Sequence, residues 1–369
     1  MLKVALRFAL GGLLVGLLML PCFSPVHAAV SGSCVNCHVM HNSQDGSTIA
    51  AAADNNLLVS DCVGCHSHSG NETIVDLGST RVPIVYNLTG YPDKPLAGGN
   101  FYYVAQGGAE NDVYGHNVKG ISLPDENLDH APGDTAQCAN SCHFSLAEGE
   151  VTGCQGCHQY MKHHADTAPI GQPETWGSGW YRGLGGHYLE GQDYRSVYKY
   201  VAGIEDRNWE QNPVAGHNIY QGADRESGST AITTTHSMDS YCAGCHGRFH
   251  LDDEVKDHYL GLVDPVWGYY GEIYTGFWQR HPTSIILPET GEYAAYNPKT
   301  AYDASVPVAW LNISAPERSE ATVMCLSCHR AHGSPYPDML RWDYSTMISS
   351  NAGSAAGTGC FKCHTSKDD

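Results

Sequence analysis

Cys34-Val-Asn-Cys37-His38-Val-Met-His41, followed by Asp61-Cys62-Val-Gly-Cys65-His66, is the stretch on which the fold turns. In each Cys-x-x-Cys-His unit, two cysteines one turn apart reach the two vinyl groups of one haem, and the next residue is a histidine placed to ligate the iron. The unit recurs as Cys154, Cys157 and His158, as Cys242, Cys245 and His246, as Cys325, Cys328 and His329, and as Cys360, Cys363 and His364. A disulfide framework, a zinc site or a redox dithiol would use such cysteines too, but none of them requires a histidine after every second cysteine. The pattern predicts covalently attached haem c, with a helical turn nucleated at each motif.

A looser copy, Cys138-Ala-Asn-Ser-Cys142-His143, carries one extra residue between its cysteines. In a loop both sulfurs still present to the vinyl groups, and His143 follows directly, so the reading is a seventh haem. Six haems remain if Cys138 and Cys142 form a local disulfide instead.

Composition agrees with an interior made by something other than aliphatic side chains. Outside the first 28 residues, Leu, Ile, Val and Phe supply only 56 of 341 positions, a scarcity that ordinarily marks a disordered chain. The 22 Tyr and 7 Trp argue against disorder, and flat apolar porphyrin faces replace the missing core. With 59 Gly and Pro residues and no pattern of long elements, the expected fold is mostly irregular coil with short helices around a stacked multihaem core and few or no β-strands. Longer helices are expected near 47–58 and 317–331. Motif spacing divides the chain into 29–95 (an N-terminal dihaem segment with the doubled motif), 96–165 (a second haem pair), 166–235 (a haem-free aromatic and glycine-rich cover) and 236–369 (a C-terminal trihaem segment).

Of 21 histidines, His27 lies in the first 28 residues and seven are proximal, which leaves 13 for the opposite faces of seven irons. All seven irons can therefore be bis-histidine, low-spin and closed, which is electron-transfer chemistry rather than substrate activation. Residues three apart on a helical turn share one face, whereas two ligands of one iron approach from opposite faces. His41 therefore cannot serve the iron of His38, nor His332 that of His329, and the same holds less strictly for His68 and His250. His116 and His217 share a Gly-His-Asn setting, His281 precedes Pro282, and the adjacent His163 and His164 would face opposite sides of an extended segment. His130, His187, His236 and His258 have no such setting and read as surface or propionate contacts.

Lys3 and Arg7 before an apolar run from Phe8 to Leu20, then Val26-His27-Ala28, read as a signal peptide cleaved after Ala28. Lipidation at Cys22 is the lesser reading, since Pro21 stands where a small residue is wanted. No later segment has the apolar length of a membrane span, so the expected product is exported, extracellular, at the cell surface or periplasmic, and not an integral membrane protein. Beyond that leader 39 acidic side chains face 18 basic ones, a net charge near −21 that excludes a nucleic-acid partner. Asn71-Glu-Thr73, Asn87-Leu-Thr89 and Asn312-Ile-Ser314 match glycosylation acceptors, a pattern common by chance.

The doubled motif around Cys34 and Cys62 resembles that of multihaem c-type cytochromes. With Tyr114-Gly-His116-Asn-Val118, Arg280-His281-Pro282, Cys325-Leu-Ser-Cys328-His329-Arg-Ala-His332 and Cys360-Phe-Lys-Cys363-His364, the chain is similar to the OmcS-type secreted hexahaem cytochromes that polymerise into extracellular nanowires. The likeness covers the two ends well and the middle thinly, and Cys138–His143 with His163-His164 departs from it as a local haem insertion. The resemblance implies a relay to redox proteins or extracellular acceptors, and a homopolymer in which the residue matching His41 ligates a haem of the neighbouring subunit. His41 serving a haem of its own chain is the competing arrangement. Two other functions stay open: a multihaem reductase of a small oxyanion or nitrogen compound, which needs an open iron although all seven motifs keep their histidine, and a structural filament.

Overall fold

A computed structural model describes residues 30, 33–40, 43–44, 47–48, 57–78, 80–128, 131–132, 146–148, 153–158, 161, 163–164, 173–174, 181–184, 200–213, 216–224, 236–243, 245–246 and 281–367. Within these residues the chain is mostly irregular, with no α-helix longer than five residues and no strand longer than four. The four α-helices are tied to motifs: α1 (Cys62–His66), α2 (Cys154–Cys157), α3 (Met238–Cys242) and α4 (Cys325–Cys328). The first and last motifs form 3-10 turns at Cys34–Asn36 and Gly359–Lys362. The motif closes its own turn, because the histidine N–H donates to the carbonyl of the first cysteine: His38 to Cys34 at 2.8 Å, His158 to Cys154 at 2.8 Å, His246 to Cys242 at 2.9 Å, His329 to Cys325 at 3.0 Å and His364 to Cys360 at 3.1 Å. That i to i−4 bond places both sulfurs and the imidazole on one compact turn.

The fourth regular motif closes its turn as well, but at the end of a helix rather than at its start. Its helix α3 starts four residues earlier, at Met238, and ends at the first cysteine, Cys242. Cys245 therefore lies beyond the helix, in a turn held by its N–H donating to the Cys242 carbonyl at 3.1 Å. The physical reason is the start signal: Ser237 caps the Ser240 N–H at 3.1 Å and so fixes the first turn ahead of the motif. In α1 the cap sits directly before the motif, Asp61 accepting from the Gly64 N–H at 2.7 Å.

The strands are β1 (Ser43–Gln44), β2 (Ser47–Thr48), β3 (Ser67–His68), β4 (Ile74–Leu77), β5 (Thr80–Pro83), β6 (Tyr86–Asn87), β7 (Pro173–Glu174), β8 (Gly203–Ile204), β9 (Ile219–Gln221), β10 (Ile285–Ile286), β11 (Ala309–Trp310) and β12 (Ala321–Val323). Six of them join in the order β10-β12-β11-β9-β8-β7, antiparallel except for the parallel pair β9 and β11, and the rest form two-stranded pairs. Alternation gives the six-stranded sheet two apolar faces. Ala309 packs with Tyr181, Val201, Tyr220, Met238 and Met324 on one face, and Trp310 with Leu287, Val308, Ala321 and Val323 on the other. The stretch 166–235 thus contributes three strands and buried Tyr181, Val201 and Tyr220 to this interior.

The helix expected over 317–331 does not form. A 3-10 turn at Arg318–Glu320, then β12, then the four-residue α4 occupy it. Thr322 pairs with both Ile286 and Ala309, and cross-strand pairing on both edges of β12 outweighs the helical pattern. The helix over 47–58 is likewise replaced where the chain is described: Ser47–Thr48 pairs antiparallel with β1, and Leu58 bridges His38. Residues 49–56 lie outside the described residues. Among the glycosylation triplets, Asn87 is fully buried, its amide donating to the Gly70 and Glu72 carbonyls and accepting from Asn100, so it is structural.

Candidate functional site

The motif histidines are oriented by their second ring nitrogen. Nδ1–H of His66 donates to the Pro83 carbonyl at 2.7 Å, that of His158 to Arg182 at 2.8 Å, that of His246 to Pro132 at 2.7 Å and that of His329 to Asp338 at 2.7 Å. Since a carbonyl only accepts, the proton is on Nδ1 and the Nε2 lone pair is left for a metal, the arrangement that orients metal-bound imidazoles generally. His116 and His281 are set the same way, toward Ala331 at 2.7 Å and Pro282 at 2.8 Å. Burial holds the imidazoles of His116, His158, His163, His281 and His329 below the usual histidine range, that of His246 down to about 4 and that of His332 down to about 3. Neutral rings result, as iron ligation requires.

Five pairs of rings follow. His38 faces His164 with centroids 5.8 Å apart, His66 faces His163 at 6.3 Å, His158 faces His332 at 6.1 Å, His246 faces His116 at 6.3 Å and His364 faces His281 at 6.0 Å. Every pair joins one motif histidine to one histidine from outside the motifs. With metal–nitrogen bonds of about 2.0 Å and about 1.1 Å from nitrogen to ring centre, two imidazoles on one metal stand roughly 6 Å apart. The separations therefore fit a single iron between the rings, with the motif cysteines beside it for the thioethers. A ring at each axial position would leave such an iron closed.

The cysteines of the six regular motifs are reachable for that attachment. Cys34 and Cys62 are exposed, and Cys37, Cys65, Cys154, Cys157, Cys242, Cys245, Cys325, Cys328, Cys360 and Cys363 are partly buried. None of these twelve forms a disulfide. Although Cys245 stands outside α3, the bond from His246 N–H to the Cys242 carbonyl spans it, so the fourth motif keeps its two sulfurs and its imidazole on one turn.

Successive motifs also lie against one another in chain order. Burial and the neighbouring Cys37 thiol raise the Cys65 pKa. The Cys62 and Cys154 thiols share a hydrogen bond that pulls Cys62 down to about 7 and pushes Cys154 up. The Tyr241 hydroxyl, one residue before Cys242, donates to the Cys157 carbonyl at 2.7 Å. Burial, with the Cys157 and Cys245 thiols nearby, holds that phenol well above the usual tyrosine range. Cys242 hydrogen-bonds Cys325, and Cys328, raised by burial to about 12, feels Cys360 and Cys363. Asp239 in α3 ties two motifs directly, accepting from the Cys325 N–H at 2.7 Å.

The long reach of His116 and His332 depends on a close backbone crossing. Gly99 and Gly115 both bridge Gly333, whose φ of +145° lies in the glycine-favouring region, and a Cβ on Gly99 would collide with the Gly333 carbonyl oxygen.

Other candidates are placed differently. His68 Nδ1 lies 3.0 Å from the Gly70 N and 3.2 Å from Glu72 Oε2. His217 packs on the Tyr302 ring at 3.6 Å with Nδ1–H on the Asn218 carbonyl, which leaves its Nε2 open. Neither ring, nor His329, faces a second histidine among the described residues. His236, read as a surface or propionate contact, stacks on Tyr200 at 4.1 Å and is half-buried. His41, Cys138, Cys142, His143 and His250 lie outside the described residues, as do His130, His187 and His258. Glu292, 3.3 Å from His364 Nδ1, had no signal in the sequence, because the contact joins segments far apart in the chain.

The doubled CXXCH motif family matches residues 319–369. The C-type cytochrome OmcS of Geobacter sulfurreducens is 25% identical to the chain over 414 aligned residues, covering 96% of the chain and 89% of the relative. Two solved structures from the same organism, one of OmcS nanowires and one of an outer membrane cytochrome S filament, are 17% identical. They give TM-scores of 0.46 and 0.43, covering 88% and 86% of this chain and 88% and 85% of theirs. The chain is thus similar to multihaem c-type cytochromes with doubled motifs, and its Cys-x-x-Cys-His motifs together with that likeness support haem c as its cofactor. Among the described residues no helix is long and apolar enough to cross a membrane.

Proposed function

We propose that the chain is an exported c-type cytochrome that passes electrons along a row of bis-histidine haems to redox proteins or acceptors outside the cell. The observation that carries this reading is the set of five ring pairs, each uniting a motif histidine with one from elsewhere at 5.8–6.3 Å. The reading takes His164, His163, His332, His116 and His281 as sixth ligands of the first, second, third, fourth and sixth regular motifs. Closed irons move electrons without binding substrate, which speaks against the reductase. The contacts from motif to motif supply the short steps a relay needs. Cys138, Cys142 and His143 add a seventh haem in this reading, grouped two, two and three along 29–95, 96–165 and 236–369.

His329 needs a ligand from beyond the described histidines or a shift of His217, and His41 is the candidate that the family resemblance supplies. Donated in one direction between copies, it makes a head-to-tail contact, which propagates as an open filament when the rotation does not close a ring. One preparation tests the whole reading. The purified oxidised protein should carry a mass of seven haems, show only low-spin ferric signals and polymerise, while His41→Ala should yield single subunits with one high-spin haem each. High-spin iron in the native protein, or rapid cyanide binding to it, would overturn the closed relay. A mass of six haems would assign Cys138 and Cys142 to a disulfide, and a native monomer with every iron six-coordinate would remove the filament.

A further inference from the structure

The sixth regular motif differs from the second, third, fourth and fifth in what its proximal histidine touches. His66, His158, His246 and His329 each donate Nδ1–H to a neutral backbone carbonyl, whereas His364 Nδ1 lies 3.3 Å from the Glu292 carboxylate. The Glu292 backbone is anchored there, the Thr365 N–H and hydroxyl donating to its main-chain carbonyl at 2.7 and 2.6 Å, and Lys367 Nζ stands 3.7 Å from the second carboxylate oxygen, Oε2.

We infer that Glu292 is a positioning residue that sets the reduction potential at the sixth regular motif, making it harder to reduce than the sites of His66, His158, His246 and His329. This rests on the haem reading proposed above. A carboxylate on Nδ1–H draws that proton toward itself and gives the ring imidazolate character, so Nε2 becomes a stronger donor and favours the ferric state. Backbone carbonyls do the same more weakly, because they carry no net charge. One electron arrives per reduction, from dithionite in the test below, and the Nδ1 proton stays between His364 and Glu292. Lying last in the spatial order of motifs, such a site would hold an electron briefly and pass it on at that end of the row.

The geometry also provides a label. The planes of His281 and His364 are inclined at 83°, against 51° for His158 with His332, 48° for His246 with His116, 24° for His38 with His164 and 23° for His66 with His163, so this pair alone of the five approaches perpendicular. Near-perpendicular imidazole planes give a low-spin ferric spectrum with one very large g-value, and near-parallel planes give an ordinary rhombic one. Electron paramagnetic resonance at poised potentials therefore follows this site separately. In the full-length haem-loaded protein the large-g component should titrate at a more negative potential than the haems of His66, His158, His246 and His329. Glu292→Gln, which keeps an acceptor and removes the charge, should move that component to more positive potential and leave the rhombic components in place. Lys367→Met, which removes the compensating cation, should move it the opposite way and serves if Glu292→Gln folds poorly. A large-g component unmoved by either change, with its haem still attached and low-spin, overturns the inference and leaves the relay intact. A native protein with no low-spin haem at this motif overturns both.

Discussion

His163 and His164 are neighbours in sequence and face different partners, His66 and His38. The division was expected from an extended segment, in which adjacent residues point to opposite sides, but the structure achieves it in a turn at residues 163 and 164. The identity of each partner was not legible, because it depends on how distant segments meet. His332 shows the same limit. Its three-residue spacing from His329 excludes that histidine as a partner, yet nothing local points to His158, and only the Gly99–Gly333 crossing and the bond from His332 N–H to the Gly98 carbonyl at 2.7 Å bring it there. These assignments separate by mutation. His163→Ala and His164→Ala should each create one haem equivalent of high-spin signal at different motifs, and the double variant two. His332→Ala should open the site at His158 alone. Identical spectra for the first two variants would mean that the adjacent rings serve one iron.

Among the elements, the haem-binding turns were readable and the strands were not. A Cys-x-x-Cys-His turn is specified by five consecutive residues, whereas a two-residue strand has no periodicity to detect, and β12 was read as part of a helix for that reason. Even among the turns the helix boundary escaped at one place, where the Ser237 cap starts α3 early and leaves Cys245 past its end. The loop between β8 and β9 carries a polar cluster that composition does not reveal. Glu210 is buried there, Oε1 accepting from the Asn218 N–H at 2.6 Å and Oε2 without a hydrogen-bond partner among the described residues. Burial pushes its carboxyl up to about 7, against the counter-effect of Arg341 and Arg182. A carboxyl raised in the folded state binds its proton more tightly there than in the unfolded chain. Its contribution is complete below the ordinary carboxylate range and is lost as pH rises through about 7. The loss amounts to about 3 kcal/mol on the scale of one pKa unit per ~1.4 kcal/mol. Glu210→Gln should flatten the fall in thermal midpoint over that window. An unchanged slope would show that Glu210 is ionised in the folded protein.

For the molecule as a whole, the scarcity of aliphatic residues was the most informative feature of composition. The sheet collects a modest side-chain interior around Trp310, Tyr220 and Met324, and a smaller one forms around Phe101, Val104 and Val118. These clusters are too small to offset the ordering entropy of so long a chain, so the haems are expected to supply the remaining burial. Protein produced without haem attachment should lack a single cooperative thermal transition. A sharp transition in the apoprotein would mean that side-chain packing alone suffices.

Iron held between specific pairs of histidines has a defined position, and that position can be measured. Anomalous scattering at the iron edge from crystals of the native protein should place peaks midway between His38 and His164, His66 and His163, His158 and His332, His246 and His116, and His364 and His281. Iron bound to these motif histidines but capped by other residues, or by water, would rule out the five pairs as ligand sets.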